Sequence, residues 1–121
     1  MSYTGGLVAE SLRPGAELDA PMTARRVRRV DAGDPLAGQP VGWTLIEFVV
    51  AEEFAEQLIA ELGEALEPGP WYCDLASDRE TVVVFAERTF RYPHGDHAGR
   101  TEAEAHARSV GVPEGQLDWP D

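Results

Sequence analysis

Apolar and polar positions change period several times along the chain, and each change marks an element. The stretch WTLIEFVV, residues 43–50, is apolar at nearly every position. Alternation puts Ile46, Phe48 and Val50 on one strand face and Trp43, Leu45 and Val49 on the other, where Glu47 interrupts the row. A strand apolar on both faces reads as a central one. From Ala51 to about Leu66 the period lengthens. Phe54, Leu58, Leu62 and Leu66 fall four apart, and Ala55 and Ile59 widen the stripe, so an amphipathic helix is predicted. Glu52 and Glu53 suit its first turn. Pro68-Gly69-Pro70 stops it, and Gly63 weakens its last turn by about 1 kcal/mol relative to alanine.

Shorter runs supply the remaining elements. GLVAESL, residues 6–12, makes a first strand ending at the Pro14-Gly15 turn. TARRVRRV, residues 23–30, has Val27 and Val30 on opposite strand faces, so periodicity leaves strand and helix open and the β-branched valines favour strand. DAGDPLAGQPVG, residues 31–42, is a loop. WYCDLA (71–76) and ETVVVFA (80–86) form a hairpin around Ser77-Asp78, and TFRY (89–92) adds a short edge strand after a turn at Glu87-Arg88. A second helix ends near Val110, with Gly111 and Pro113 as stop signals. Its start is open between Asp96 as N-cap and a Thr101/Glu104 capping box. In the tail PEGQLDWPD, Leu117 and Trp119 are expected to pack back on the body.

With strands at 23–30 and 43–50 before the first helix, and at 71–76 and 80–86 before the second, the order is ββα twice. The expected architecture is a single α+β domain over residues 1–121. It is an antiparallel sheet with both helices on one face, a ferredoxin-like sandwich.

Composition narrows the classes. With 43% apolar and 26% charged residues the chain is that of a soluble globular protein, and no run of about 18 apolar residues is present to span a bilayer. The N-terminus lacks a basic start followed by an apolar stretch, so a cytoplasmic protein is expected, and the lone Cys73 fits a reducing compartment. The net charge of −12 argues against nucleic acid and anionic membrane as partners. All ten basic residues are arginine, and four of them fall in ARRVRRV, whereas Glu47 to Glu67 holds no base. Facing charges or solvation account for this pattern most simply.

A sheet covered on one side leaves its other face for a partner. If Ile46, Phe48 and Val50 meet the helices, and Trp71, Cys73 and Leu75 point inward with them, then Trp43, Glu47, Tyr72 and Asp74 share the open face. Two aromatic platforms beside two carboxylates would suit a small planar or cationic ligand. The same face, carrying Trp43 and Leu45, would also serve a homodimer.

A second candidate is FRYPHGDHAGR. His94, Asp96, His97 and His106 are metal-ligand types, but the spacing is poor. His94-Gly95-Asp96-His97 is similar to the second half of the metallo-β-lactamase zinc motif and lacks its leading histidine, and His-Glu-x-x-His is absent. No metal and no cofactor is expected. Arg91, His94, His97 and Arg100 instead surround a candidate helix N-terminus, where free amides attract anions.

From WYCDLASDRETVVVFAERTFRYPHGDHAGR through SVGVPEGQLDW, with GGLVAESLRPG and GWTLIEF before it, the chain resembles an uncharacterised family of small bacterial proteins. The resemblance covers most of the chain and implies one intact bacterial domain without implying an activity. Walker, Rossmann, Cys-x-x-Cys and nucleophile-elbow patterns are absent. A binding or accessory protein is therefore the expected class. The alternative is a small enzyme, metal- or histidine-dependent, built on the His94–His97 turn.

Overall fold

The computed structural model describes residues 1–31, 39–117 and 119; most of the loop expected at 31–42 lies outside them, as do 118, 120 and 121 of the tail. Six strands form one sheet: β1 (Ser2–Val8), β2 (Thr23–Asp31), β3 (Gly42–Ala51), β4 (Cys73–Ala76), β5 (Glu80–Phe85) and β6 (Arg88–Pro93). Helix α1 (Glu52–Ala65) follows β3 and helix α2 (His97–Ser109) follows β6. All pairings are antiparallel, and the spatial order is β2-β3-β1-β4-β5-β6.

This order overturns the ferredoxin-like expectation. The chain runs βββα twice, because β1 belongs to the middle of the sheet and β6 is a full strand. The first strand lies earlier than expected, and Ala9–Ser11 forms a 3₁₀ turn instead of continuing it. The two glycines of SYTGGLV, poor strand formers, hid it. Gly5 is required there. A Cβ on it would lie 2.5 Å from the Asp74 carbonyl oxygen and 2.7 Å from the Phe48 ring, so only glycine lets β1 lie between β3 and β4.

The helices also take opposite faces. Along β5, Val82 and Val84 pack with Leu58, Ile59 and Leu62 of α1, whereas Val83 and Phe85 pack with Ala103 and Ala107 of α2. Strand alternation turns one apolar run into two cores. The α1 core spans most of the sheet, from Tyr3, Leu7, Phe48 and Val50 to Cys73 and Leu75. The α2 core is smaller and is closed by Val112, Leu117 and Trp119, which fold back as expected of the tail.

Local bonds explain the helix ends. Asp96 caps α2, its Oδ1 accepting the Gly99 amide at 3.1 Å, so the Asp96 start prevails and Thr101 sits inside the helix. The last carbonyls of α1 are met by the N-terminal segment. The Arg13 amide donates to Ala65 O at 2.8 Å, and Arg13 Nε donates to Leu66 O at 3.0 Å. Glu61 accepts the Asp19 and Ala20 amides, both at 2.9 Å, tying the segment before β2 to α1.

Candidate functional site

Because α2 covers only the β5–β6 end of its face, no helix among the described residues covers the rest of it. One cross-strand row runs over it: Arg26, Glu47, Gly6, Asp74, Val83 and Phe90 are successive register partners. Glu47 and Asp74 thus lie one strand apart on either side of Gly6, with Cα atoms separated by about 10 Å. Gly6 has neither backbone strain nor crowding. A Cβ there would come no nearer than 3.7 Å to a neighbour, Leu45 Cδ1, so its missing side chain simply deepens the surface.

Beside this row lies a cleft of about 330 Å³. Gly6, Val8 and Leu45 form its floor, Trp43 and Trp71 one wall, and Tyr72 with the tail residues Gly115 and Gln116 the other. Each ring is held. Trp43 packs on Trp71 with ring centroids 5.4 Å apart, and its Nε1 donates to the Pro40 carbonyl at 3.1 Å. Tyr72 donates its hydroxyl to the Gln116 carbonyl at 2.6 Å and stands edge-on to Trp119 at 5.3 Å. Tyr72 is therefore a rigid wall, its polar end already engaged.

Of the four residues expected on the open face, three line this cleft: Trp43, Tyr72 and Asp74. Glu47 does not. Its Oε2 lies 3.7 Å from Arg26 Nε and 3.8 Å from Arg28 Nε, is shut off from solvent and has no hydrogen-bond partner, although 40% of the side chain is exposed. Among the described lining residues Asp74 is the one formally charged side chain. Sequence reasoning missed Trp71, Gly6 and the tail. Trp71 was expected inward by alternation with Cys73 and Leu75, but β4 begins only at Cys73, so the alternation does not reach it. Cys73 does point into the α1 core, where burial pushes its thiol well up.

The four basic residues of the histidine turn do not converge. Arg91 points to the α1 side, where Nη2 and Nε bond both oxygens of Glu80 at 2.5 and 3.1 Å, and Nη1 bonds Glu56 at 2.6 Å. The guanidinium, with the Tyr3 hydroxyl donating at 2.6 Å, holds the Glu80 carboxyl below its usual range against the effect of burial. Arg100 lies on the opposite face, donating to the Trp119 and Leu117 carbonyls at 2.5 and 3.2 Å. His94 Nε2 donates to the Ser77 carbonyl at 2.7 Å, and exposed His97 opens α2. One of the amides at that helix start is already taken by Asp96. His106 packs between Phe85 and Phe90, at centroid distances of 4.6 and 5.2 Å. Among the described residues no three His, Cys, Asp or Glu side chains gather to hold a metal ion.

No helix among the described residues is long and apolar enough to cross a membrane. No family model, curated protein or solved structure matches the chain.

Proposed function

We propose that the chain is a small binding protein whose cleft on the α2 side of the sheet takes a planar ligand carrying a positive charge. The lining carries this reading: three aromatic rings and a leucine surround one carboxylate, Asp74, with no base among the described lining residues. A volume near 330 Å³ falls at the small end of ligand sites, which are mostly apolar with a few fixed polar groups. A cation between ring faces gains from their quadrupoles and offsets the cost of desolvating a carboxylate. The histidine turn offers less to an enzyme, since the Nε2 of His94 is committed to a backbone carbonyl and the basic groups around it face different sides of the sheet.

Tryptophan emission reports on the cleft directly, because Trp43 and Trp71 form its wall. N-methylquinolinium is expected to quench it saturably, with neutral naphthalenemethanol binding more weakly and 2-naphthoate not at all. Asp74→Asn is expected to weaken the cation about tenfold, as loss of a charged partner does. Glu47→Gln should have a smaller effect, and Glu53→Gln, on the far side of the molecule, none. Equal quenching by naphthoate, or NMR shifts confined to Arg91–Arg100, would defeat the reading.

A further inference from the structure

The cleft leaves the arginine strand unexplained. β2 has β3 as its one hydrogen-bonded neighbour among the described residues, so the outer backbone groups of residues 23–30 have no strand partner there. Eight of the nine residues are exposed, Val27 to 61%. The other edge differs. β6 has six residues, carries α2 against it, has Arg91 tied to Glu80 and Glu56, and ends at Pro93.

Register divides the β2 side chains between faces. Arg26, Arg28 and Val30 share the cleft side, Val27 and Arg29 the α1 side, and Arg25 sits at a bulge between Ala24 and Arg26. Three of the four guanidiniums meet two carboxylates. Arg26 and Arg28 share one oxygen of Glu47 at distances beyond a hydrogen bond, and Arg29 shares Glu10 with Thr44. Arg25 has no acid partner among the described residues. The side chains of Arg26, Arg28 and Arg29 remain 63%, 42% and 66% exposed. The strip is thus positive and extended on a chain of net charge −12.

Self-pairing does not suit this edge. Two copies of β2 would set arginine against arginine, and β6 would bring Arg88 and Arg91. We infer that β2 is a docking edge for an extended acidic segment of another protein, added to the sheet as a seventh strand. Backbone bonds to the unpaired edge supply affinity, and alternate side chains supply selectivity. Opposite Arg26, Val27, Arg28 and Arg29 the chemistry calls for acid, apolar, acid, acid. An antiparallel partner therefore reads Glu-Glu-Val-Glu. The unpaired backbone favours a peptide over nucleic acid or lipid, neither of which can add a strand to the ladder.

The test uses the full ¹⁵N-labelled chain and a capped Thr-Thr-Glu-Glu-Val-Glu-Thr-Thr peptide. Controls are the same peptide with lysine for glutamate, a single-stranded DNA oligomer, and phosphatidylserine vesicles. The acidic peptide is expected to slow hydrogen exchange at alternate amides of residues 23–31, less so as salt rises. Reversing two cross-strand pairs in Arg26→Glu/Arg28→Glu should weaken binding about tenfold. Arg25→Glu/Arg29→Glu, which leaves the Glu47 pairing intact, should give a similar loss and serves if the first variant fails to fold. The lysine peptide protecting these amides equally overturns the inference. So does DNA or vesicle binding as strong as the peptide's, or peptide shifts at Trp43 and Asp74 with residues 23–31 unprotected.

Discussion

Gly5 and Gly6, adjacent in sequence, face opposite sides of the sheet and are glycine for different reasons. Gly5 lies under the Phe48 ring where any side chain collides with backbone and core, whereas a Cβ on Gly6 would make only ordinary contact with Leu45 at the cleft. Gly5→Ala is therefore expected to cost about 2 kcal/mol, the range for overpacking a closed core. Gly6→Ala should leave the midpoint of urea unfolding within error while weakening ligand binding in the cleft. Equal midpoints for the two variants would show that β1 does not lie between β3 and β4 as described. The sequence exposes the glycine pair but not this division of labour, which depends on Leu45, Phe48 and Asp74, far along the chain. The same limit applies to Glu47. Alternation places it correctly beside Leu45, yet its removal from the cleft by Arg26 and Arg28 depends on the β2–β3 register and on the bulge at Arg25, and no local pattern records either.

At the scale of elements, the run ETVVVF held more information than its reading as one arm of a hairpin used. Apolar residues at Val82, Val83, Val84 and Phe85 require cover on both faces, and both helices provide it, one to each side. Placing both helices on one face left Val83 and Phe85 without cover. α1 was legible along nearly its whole length because its stripe is long and periodic. α2 was harder to read, since its buried residues are alanines, Ala103 and Ala107, with His106 beside them. That histidine gives the α2 layer a pH dependence. Burial first, and the charge of Arg88 second, lower its pKa from the ordinary 6.5. The unfolded chain then binds more protons between the folded value and 6.5, so His106 contributes stability fully above pH 6.5 and loses it as pH falls through the folded value. Thermal midpoints measured from pH 7.5 to 5.5 should decline less in His106→Phe than in the parent. Parallel declines would show that His106 is not the source of the slope.

At the scale of the whole molecule, the tail links the two cores to the cleft. Leu117 and Trp119 close the α2 core, while Gly115 and Gln116 of the same segment wall the cleft. Tyr72 holds it through the Gln116 carbonyl, and Arg100 through the carbonyls of Leu117 and Trp119. Arg100 is 18% exposed, so its bonds are little screened, whereas Arg108 pairs with Glu114 where the side chains are 49% and 71% exposed. Hydrogen bonds to a partly buried charge contribute about 1.5–3 kcal/mol, whereas solvent screens an exposed pair. Arg100→Ala is therefore expected to lower stability by about 2 kcal/mol, and Arg108→Ala to lower it less. The distinguishing readout is the cleft. With the tail loosened, Gly115 and Gln116 no longer define the wall that positions Tyr72, so Arg100→Ala should also weaken N-methylquinolinium binding at temperatures where the variant remains folded. A variant that loses stability yet binds with the parent's affinity would confine the tail to closing the α2 core, leaving the cleft to the sheet and the Trp43–Trp71 pair alone.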